Sequence, residues 1–138
     1  MDEAEAAAVV ALWERCGLTR PWNDPWADIA LARRTATSAV LVGREAGAVA
    51  ATVMVGCDGH RGWVYYLAVE PGRQGSGLGR AMMAAAEAFV QAAGAPKIQL
   101  MVRAGNAAVI GFYRKLGYLT EDIAVLGRRF DGQTGAAS

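Results

Sequence analysis

Apolar residues recur at helical spacing along some stretches of the chain and run nearly unbroken along others, and the change of period marks out its elements. Over residues 4–16, Ala6, Val9, Trp13 and Cys16 share one stripe while Glu5, Glu14 and Arg15 lie elsewhere. This predicts an amphipathic helix closed by Gly17. Asp24 before Pro25 suits an N-cap followed by the first helical position, so a second helix is expected to run to about Arg34. Residues 39–44 and 49–57 read as strands joined by a turn at Glu45-Ala46-Gly47. Asp58-Gly59 is a two-residue hairpin signal, with residues 60–69 as the return strand. The stretch from Trp63 to Val69 barely alternates, which predicts a central strand covered on both faces. Residues 78–93 predict a helix burying Leu78, Met82, Ala85, Phe89 and Ala92, stopped by Gly94 with Pro96 beyond. Residues 98–102 read as a strand. Residues 106–116 read as a helix with the stripe Val109, Phe112, Tyr113 and Leu116, closed by Gly117. Residues 118–130 predict two final strands or a hairpin.

This order predicts an α/β (α+β) fold, a central mixed β-sheet flanked by helices on both faces, as a single domain over residues 1–130. The strand–helix–strand unit over 64–102 implies parallel strands and a right-handed crossover. Residues 131–138 carry little to bury and are expected to be a disordered tail. A length of 138 residues suits one domain. Leu, Ile, Val and Phe number 30, about 22% of the chain, enough for a core in which alanine lines many helix contacts.

The net charge of +1 argues against a broad polyanion-binding face, and so against a nucleic-acid partner. No stretch approaches the roughly 20 apolar residues of a membrane helix. Asp2, Glu3 and Glu5 give an acidic start unlike a secretory signal. Cys16 and Cys57 lack metal-ligand spacing. They read as free thiols in a cytoplasmic protein without a metal.

The candidate chemistry lies between the apolar strand and the helix that follows it, in Gln74-Gly75-Ser76-Gly77-Leu78-Gly79-Arg80. Glycines let successive backbone N–H groups point into one concavity, and the helix start adds unsatisfied donors. Arg73 and Arg80 add charge beside it. One or two glycines would serve a tight turn; three at alternate positions with flanking arginines suit a phosphate or pyrophosphate. A nucleotide P-loop is excluded because Leu78, not Lys, follows Gly77. A dinucleotide fingerprint requires Gly or Ala at Arg80 or Met82, and an early strand of a parallel sheet.

With these residues the sequence resembles the GNAT superfamily of acyl-CoA-dependent N-acetyltransferases. Gln74 to Gly79 matches the Q/R-x-x-G-x-G/A motif. The later N-A-A-V-I-G-F-Y-R-K-L-G-Y, from Asn106 to Tyr118, is similar to the family's Asn-containing helix start and Y-x-x-L-G-F/Y ending. The surroundings R-P-W-N-D-P and D-G-H-R-G look most like a small bacterial YpeA-type branch.

The resemblance implies acetyl-CoA as co-substrate, no metal, and a primary amine on a small molecule or a protein as acceptor. It implies that backbone N–H groups of Gln74, Gly75, Ser76, Gly77, Leu78, Gly79 and Arg80 hold the CoA pyrophosphate. The strand bearing Leu67, Ala68 and Val69 would splay from its parallel neighbour, pair with pantetheine and polarise the thioester carbonyl. Asn106 would hydrogen-bond the pantetheine arm, and Tyr113 would act as general acid at the CoA sulfur. The sequence departs from the family in lacking the strand that normally precedes the first helix. That leaves a sheet edge uncovered and the protein a monomer or a homodimer.

Other residues keep two readings each. Tyr113 lies on an apolar stripe where a core tyrosine is common, and Asn106 can cap its helix. Asp58, His60, Glu70, Tyr65 and Tyr66 are candidate bases. Asp58 also suits a turn, Glu70 a solvated strand end and His60 an exposed hairpin. Family members that acetylate protein N-termini carry Glu five residues before the Asn; here that position is Met101. Trp22 and Trp26 could wall an amine pocket or bury the entry to their helix. Cys16 and Cys57 suit small buried residues better than nucleophiles. An enzyme is expected, the alternative being a non-catalytic acyl-CoA-binding sensor module on the same fold.

Overall fold

The apolar runs become a four-stranded sheet of order β1-β2-β3-β4 in the computed structural model, which describes residues 1–133. The strands are β1 (Ser38–Glu45), β2 (Ala48–Cys57), β3 (Gly62–Val69) and β4 (Ile98–Leu100). β1, β2 and β3 pair antiparallel, and β3 and β4 pair parallel. The expected mixed sheet and parallel crossover are therefore present. The helices are α1 (Ala6–Arg15), α2 (Pro25–Arg34), α3 (Leu78–Ala92) and α4 (Ala107–Lys115), with short 3₁₀ turns at Glu3–Glu5 and Pro71–Arg73. The chain divides into two compact units, Met1–Leu100 and the part from Met101 onward.

In the first unit α1 and α2 pack on one face of the sheet and α3 on the other. Val9, Val10, Leu12 and Trp13 of α1 and Ile29 and Ala32 of α2 bury themselves with Val40 and Ala68 of the sheet. α2 starts as expected: the Asp24 carboxylate accepts from the Trp26 and Ala27 N–H groups at 3.0 and 3.2 Å, with Pro25 in the first turn. β2 is the strand most fully covered on both faces, with Ala51, Thr52, Val53 and Val55 fully buried. β3 is interior by position, yet Tyr65 is exposed.

Several local expectations are corrected. The tight two-residue turn sits at Ala46-Gly47, both with positive φ (50° and 80°), between the paired residues Glu45 and Ala48. At Asp58 the loop has four residues and β3 begins only at Gly62. There Asp58 Oδ1 accepts from the His60 and Arg61 N–H groups, both at 2.8 Å, so the side chain organises a wider turn.

On α3 the buried residues are Met82, Met83, Ala86 and Val90, while Ala85 and Ala92 are exposed and Leu78 and Phe89 half-buried. The helix is rotated so that its bulk meets bare backbone in the sheet. A Cβ on Gly43 would stand 3.1 Å from Met82 Sδ, and one on Gly62 would stand 2.3 Å from Val90 Cγ2.

In the second unit α4 forms as expected and ends at Gly117 (φ 96°), but Val109 is exposed. The final strands expected over 118–130 are not present. Leu119, Ile123, Val125, Leu126 and Phe130 are all exposed there, with no strand partner to fix an alternating register. Of the expected tail, Asp131 pairs with Arg129 at 2.6 Å and caps the Gln133 N–H at 3.0 Å; residues 134–138 lie outside the described residues.

The closeness of α3 to β3 makes a prediction. Gly62→Ala should destabilise the protein by about 1–3 kcal/mol, because the new methyl group overlaps the Val90 side chain. Chemical denaturation would read this as a lower midpoint at unchanged slope. An unshifted midpoint would contradict the packing described.

Candidate active site

Backbone hydrogen bonding sets up the first part of the site. β3 meets β4 through three pairs only: Gly62 with Ile98, Trp63 with Gln99 and Val64 with Leu100. Beyond Val64, β3 continues to Val69 with β2 on one side and, among the described residues, no strand on the other. Leu67, Ala68 and Val69 thus lie on an open strand edge inside the sheet, where unpaired main-chain groups can take an extended ligand.

The same stretch is bent. Thr52 pairs with Ala68 and Met54 with Tyr65, so Tyr66 and Leu67 together oppose Val53. This is a β-bulge, and at it Tyr66 has φ 53°. A tyrosine in the left-handed region costs about 1–3 kcal/mol and persists only where its surroundings hold it.

The strand then runs through the turn Pro71–Arg73 into the glycine-rich loop. Gly75 and Gly77 have φ 86° and 88°, and a Cβ on either would meet nothing within 4 Å. Glycine is required here by backbone angle, with open space around it. Gly77 is the N-cap of α3, and no side chain caps that helix start. The N–H groups of its first turn therefore have no helical acceptor and carry the positive end of the helix dipole. Gln74, Gly75, Ser76, Gly77 and Arg80 are exposed, with Leu78 and Gly79 half-buried. Arg80 brings free charge to the loop, whereas Arg73 is paired with Glu45 of β1 at 2.7 Å.

The candidate bases are mostly committed elsewhere. Glu70 accepts from Arg15 Nε at 3.1 Å and from Arg15 Nη2 at 2.5 Å. Asp58 holds the turn, and the N–H groups it accepts keep its carboxyl below the usual range. The Tyr66 hydroxyl donates to Asp28 Oδ2 at 2.7 Å, and burial with this carboxylate pushes its pKa far up. Burial also raises Tyr65. His60 lines a cavity of about 250 Å³ with Cys57, Arg61 and residues 93–96 just after α3, at the far end of β3 from Val69. Cys57 is buried, and Cys16 donates its thiol to the Val69 carbonyl at 3.3 Å; both are free thiols. Trp26 is exposed and Trp22 half-buried. Among the described residues no cluster of His, Cys, Asp and Glu could hold a metal.

In the second unit, Asn106 is the N-cap of α4, its Oδ1 accepting from the Val109 N–H at 3.3 Å. Tyr113 is buried, with Phe112 and Tyr118 edge-on at centroid distances of 5.1 and 5.7 Å. Burial raises its hydroxyl to about 12, so it keeps its proton through neutral pH.

The Acetyltransferase (GNAT) family model matches residues 6–118. The chain belongs to this family of enzymes. It is 44% identical over 128 residues to an acetyltransferase of Yersinia enterocolitica, covering 93% of this chain and 91% of the relative. It is 48% identical over 122 residues to one of Pectobacterium atrosepticum, covering 88% and 86%. Among solved structures, an acetyltransferase of Agrobacterium tumefaciens described as putative superposes with TM-score 0.80 at 17% identity, covering 94% of this chain and 96% of that one. The aminoglycoside N-acetyltransferase AAC(6′)-Iy, solved in complex with CoA, superposes with TM-score 0.81 at 14% identity, covering 94% and 91%. At these identities the likeness is one of fold. The glycine-rich loop and the Asn106 cap are legible in the sequence, but not the bulge at Tyr66; a lone tyrosine inside an apolar strand gives no sign of positive φ.

The loop angles carry a prediction. Gly77→Ala places an L-residue in the left-handed region and should cost roughly 1–2 kcal/mol of stability. Thermal unfolding would show a lowered Tm; an unchanged Tm would mean that the loop takes another conformation in solution.

Proposed function

We propose that the protein transfers the acetyl group of acetyl-CoA to a primary amine, on a small molecule or a protein, by direct attack in a ternary complex. The observation that carries this reading is β3 parting from β4 after Val64 and leading into an uncapped, glycine-lined start of α3. An extended pantetheine arm fits the open edge at Leu67, Ala68 and Val69. The N–H groups of Gln74, Gly75, Ser76, Gly77, Leu78, Gly79 and Arg80 suit a pyrophosphate. Membership of the family supports both roles.

In the proposed reaction the neutral amine attacks the thioester carbonyl carbon. The oxyanion that forms is stabilised by a fixed main-chain N–H on β3, which needs no reorganisation as charge develops. The carbon–sulfur bond then breaks, the nitrogen loses its proton to water, the leaving sulfur takes a proton from Tyr113, and water returns a proton to the Tyr113 phenolate. Asn106 hydrogen-bonds the pantetheine arm. With Asp58 and Glu70 held by structural partners, water takes the proton of the incoming ammonium. Holding amine and thioester together removes the entropic cost of encounter. That same engagement of the carboxylates favours a second reading, an acyl-CoA-binding sensor that needs no base.

Tyr113→Phe separates the two. The enzyme reading predicts a fall in kcat of roughly 10²–10⁴-fold with acetyl-CoA binding retained. An unchanged kcat would remove the assigned role, and an amine screen without turnover in the wild type would leave the sensor.

The pH profile is a second check. A general acid works while protonated, and Tyr113 titrates at about 12. Activity should therefore rise with pH as the acceptor amine deprotonates, with no falling limb below about pH 10. A falling limb near neutrality would point to a different acid.

A further inference from the structure

We propose that Trp13, Thr52, Tyr66 and Asp28 form a positioning network that fixes the β3 bulge and thereby aims the main-chain N–H groups on the open strand edge after Tyr66 toward the thioester carbonyl. The inference rests on the reading of β3 as the thioester-binding strand. All four residues lie in the first unit, on the sheet face covered by α1 and α2.

The contacts close around one strained residue. The indole of Trp13 lies flat on the ring of Tyr66, with centroids 3.7 Å apart and planes 5° from parallel. Trp13 Nε1 donates to Thr52 Oγ1 at 2.9 Å, and Thr52 Oγ1 donates to the Tyr66 carbonyl at 2.9 Å. The Tyr66 hydroxyl donates to Asp28 Oδ2 at 2.7 Å. The Tyr66 backbone carbonyl, ring and hydroxyl are each held by a different element: β2, α1 and α2. Thr52 is fully buried and is the one polar residue among those buried in the described chain. Its hydroxyl serves one donor and one acceptor, and both are part of this network. A valine would fill the same volume and strand, so packing alone does not account for a threonine at this place.

Asp28 lies on α2, one turn after the cap at Asp24, so the Tyr66 hydroxyl ties the bulge to α2. Thr52, Trp13 and Asp28 act through Tyr66 and its following peptides; none needs to touch substrate.

The test is isotope-edited infrared difference spectroscopy of [1-¹³C]acetyl-CoA bound to the full chain, with Kd measured alongside. In the wild type the thioester carbonyl band should move to lower wavenumber on binding. Thr52→Val should lose most of that shift while Kd changes by less than about threefold, because the network aims the donor and does not hold the ligand. Thr52→Ser, which keeps the hydroxyl, should restore the shift. Tyr66→Phe, which removes only the bond to Asp28, should give a partial loss; it decides the matter if Thr52→Val does not fold. A full shift retained in folded Thr52→Val, or in Tyr66→Phe where that variant alone folds, would overturn the network while leaving β3 as the thioester strand. Failure of Thr52→Ser to restore a lost shift would also overturn it. Binding without a band shift in the wild type, or no binding, would remove the reading of β3 and this proposal with it.

Discussion

The backbone of β3 has a neighbour on both sides only as far as Val64, and the candidate site depends on that limit. Its far half, to Val69, has β2 as its one strand neighbour among the described residues, and the Val69 carbonyl also takes the Cys16 thiol. Unpaired main-chain donors and acceptors in the middle of a sheet are costly unless water or a ligand meets them. A strand left open in this way suits an extended ligand that supplies its own amide groups. The bulge at Tyr66 increases the local twist and re-aims the peptides that follow, so the opening and the bend belong to one device.

The charge pattern agrees with an anion site built from backbone. The chain is nearly neutral, and several of its arginines are spent on carboxylates: Arg15 on Glu70, Arg44 on Glu5 and Arg73 on Glu45. These pairs are partly exposed and contribute little stability individually. They brace the N-terminal turn, the exit from β3 and the start of the loop. The attraction for a pyrophosphate comes from the uncapped first turn of α3 and from peptides freed by the positive φ of Gly75 and Gly77.

Much of this could be read in the sequence, for identifiable reasons. Asp24-Pro25 carries a local cap that forms whatever packs around it, and α2 begins where expected. The glycines of the loop announce φ angles that few other residues adopt. What escaped reading depends on partners distant in sequence. The face of α3 is set by Gly43 and Gly62 on strands that approach it closely, which moves burial from Ala85 to Ala86. Asp58-Gly59 looks like a tight turn, but the Asp58 carboxylate spans four residues. The final strands expected after Tyr118 needed pairing that no local pattern guarantees. The left-handed Tyr66 is held by a tryptophan 53 residues away and a threonine 14 residues away, so nothing near it in sequence could reveal it.

The central claim is that the open half of β3 and the glycine loop together bind an acyl-CoA. Calorimetric titration of the folded protein with acetyl-CoA, beside CoA and NAD, tests it most directly. The account predicts saturable 1:1 binding of acetyl-CoA and CoA and no binding of NAD. Folded protein that takes up no acetyl-CoA, or that binds NAD equally well, would contradict it.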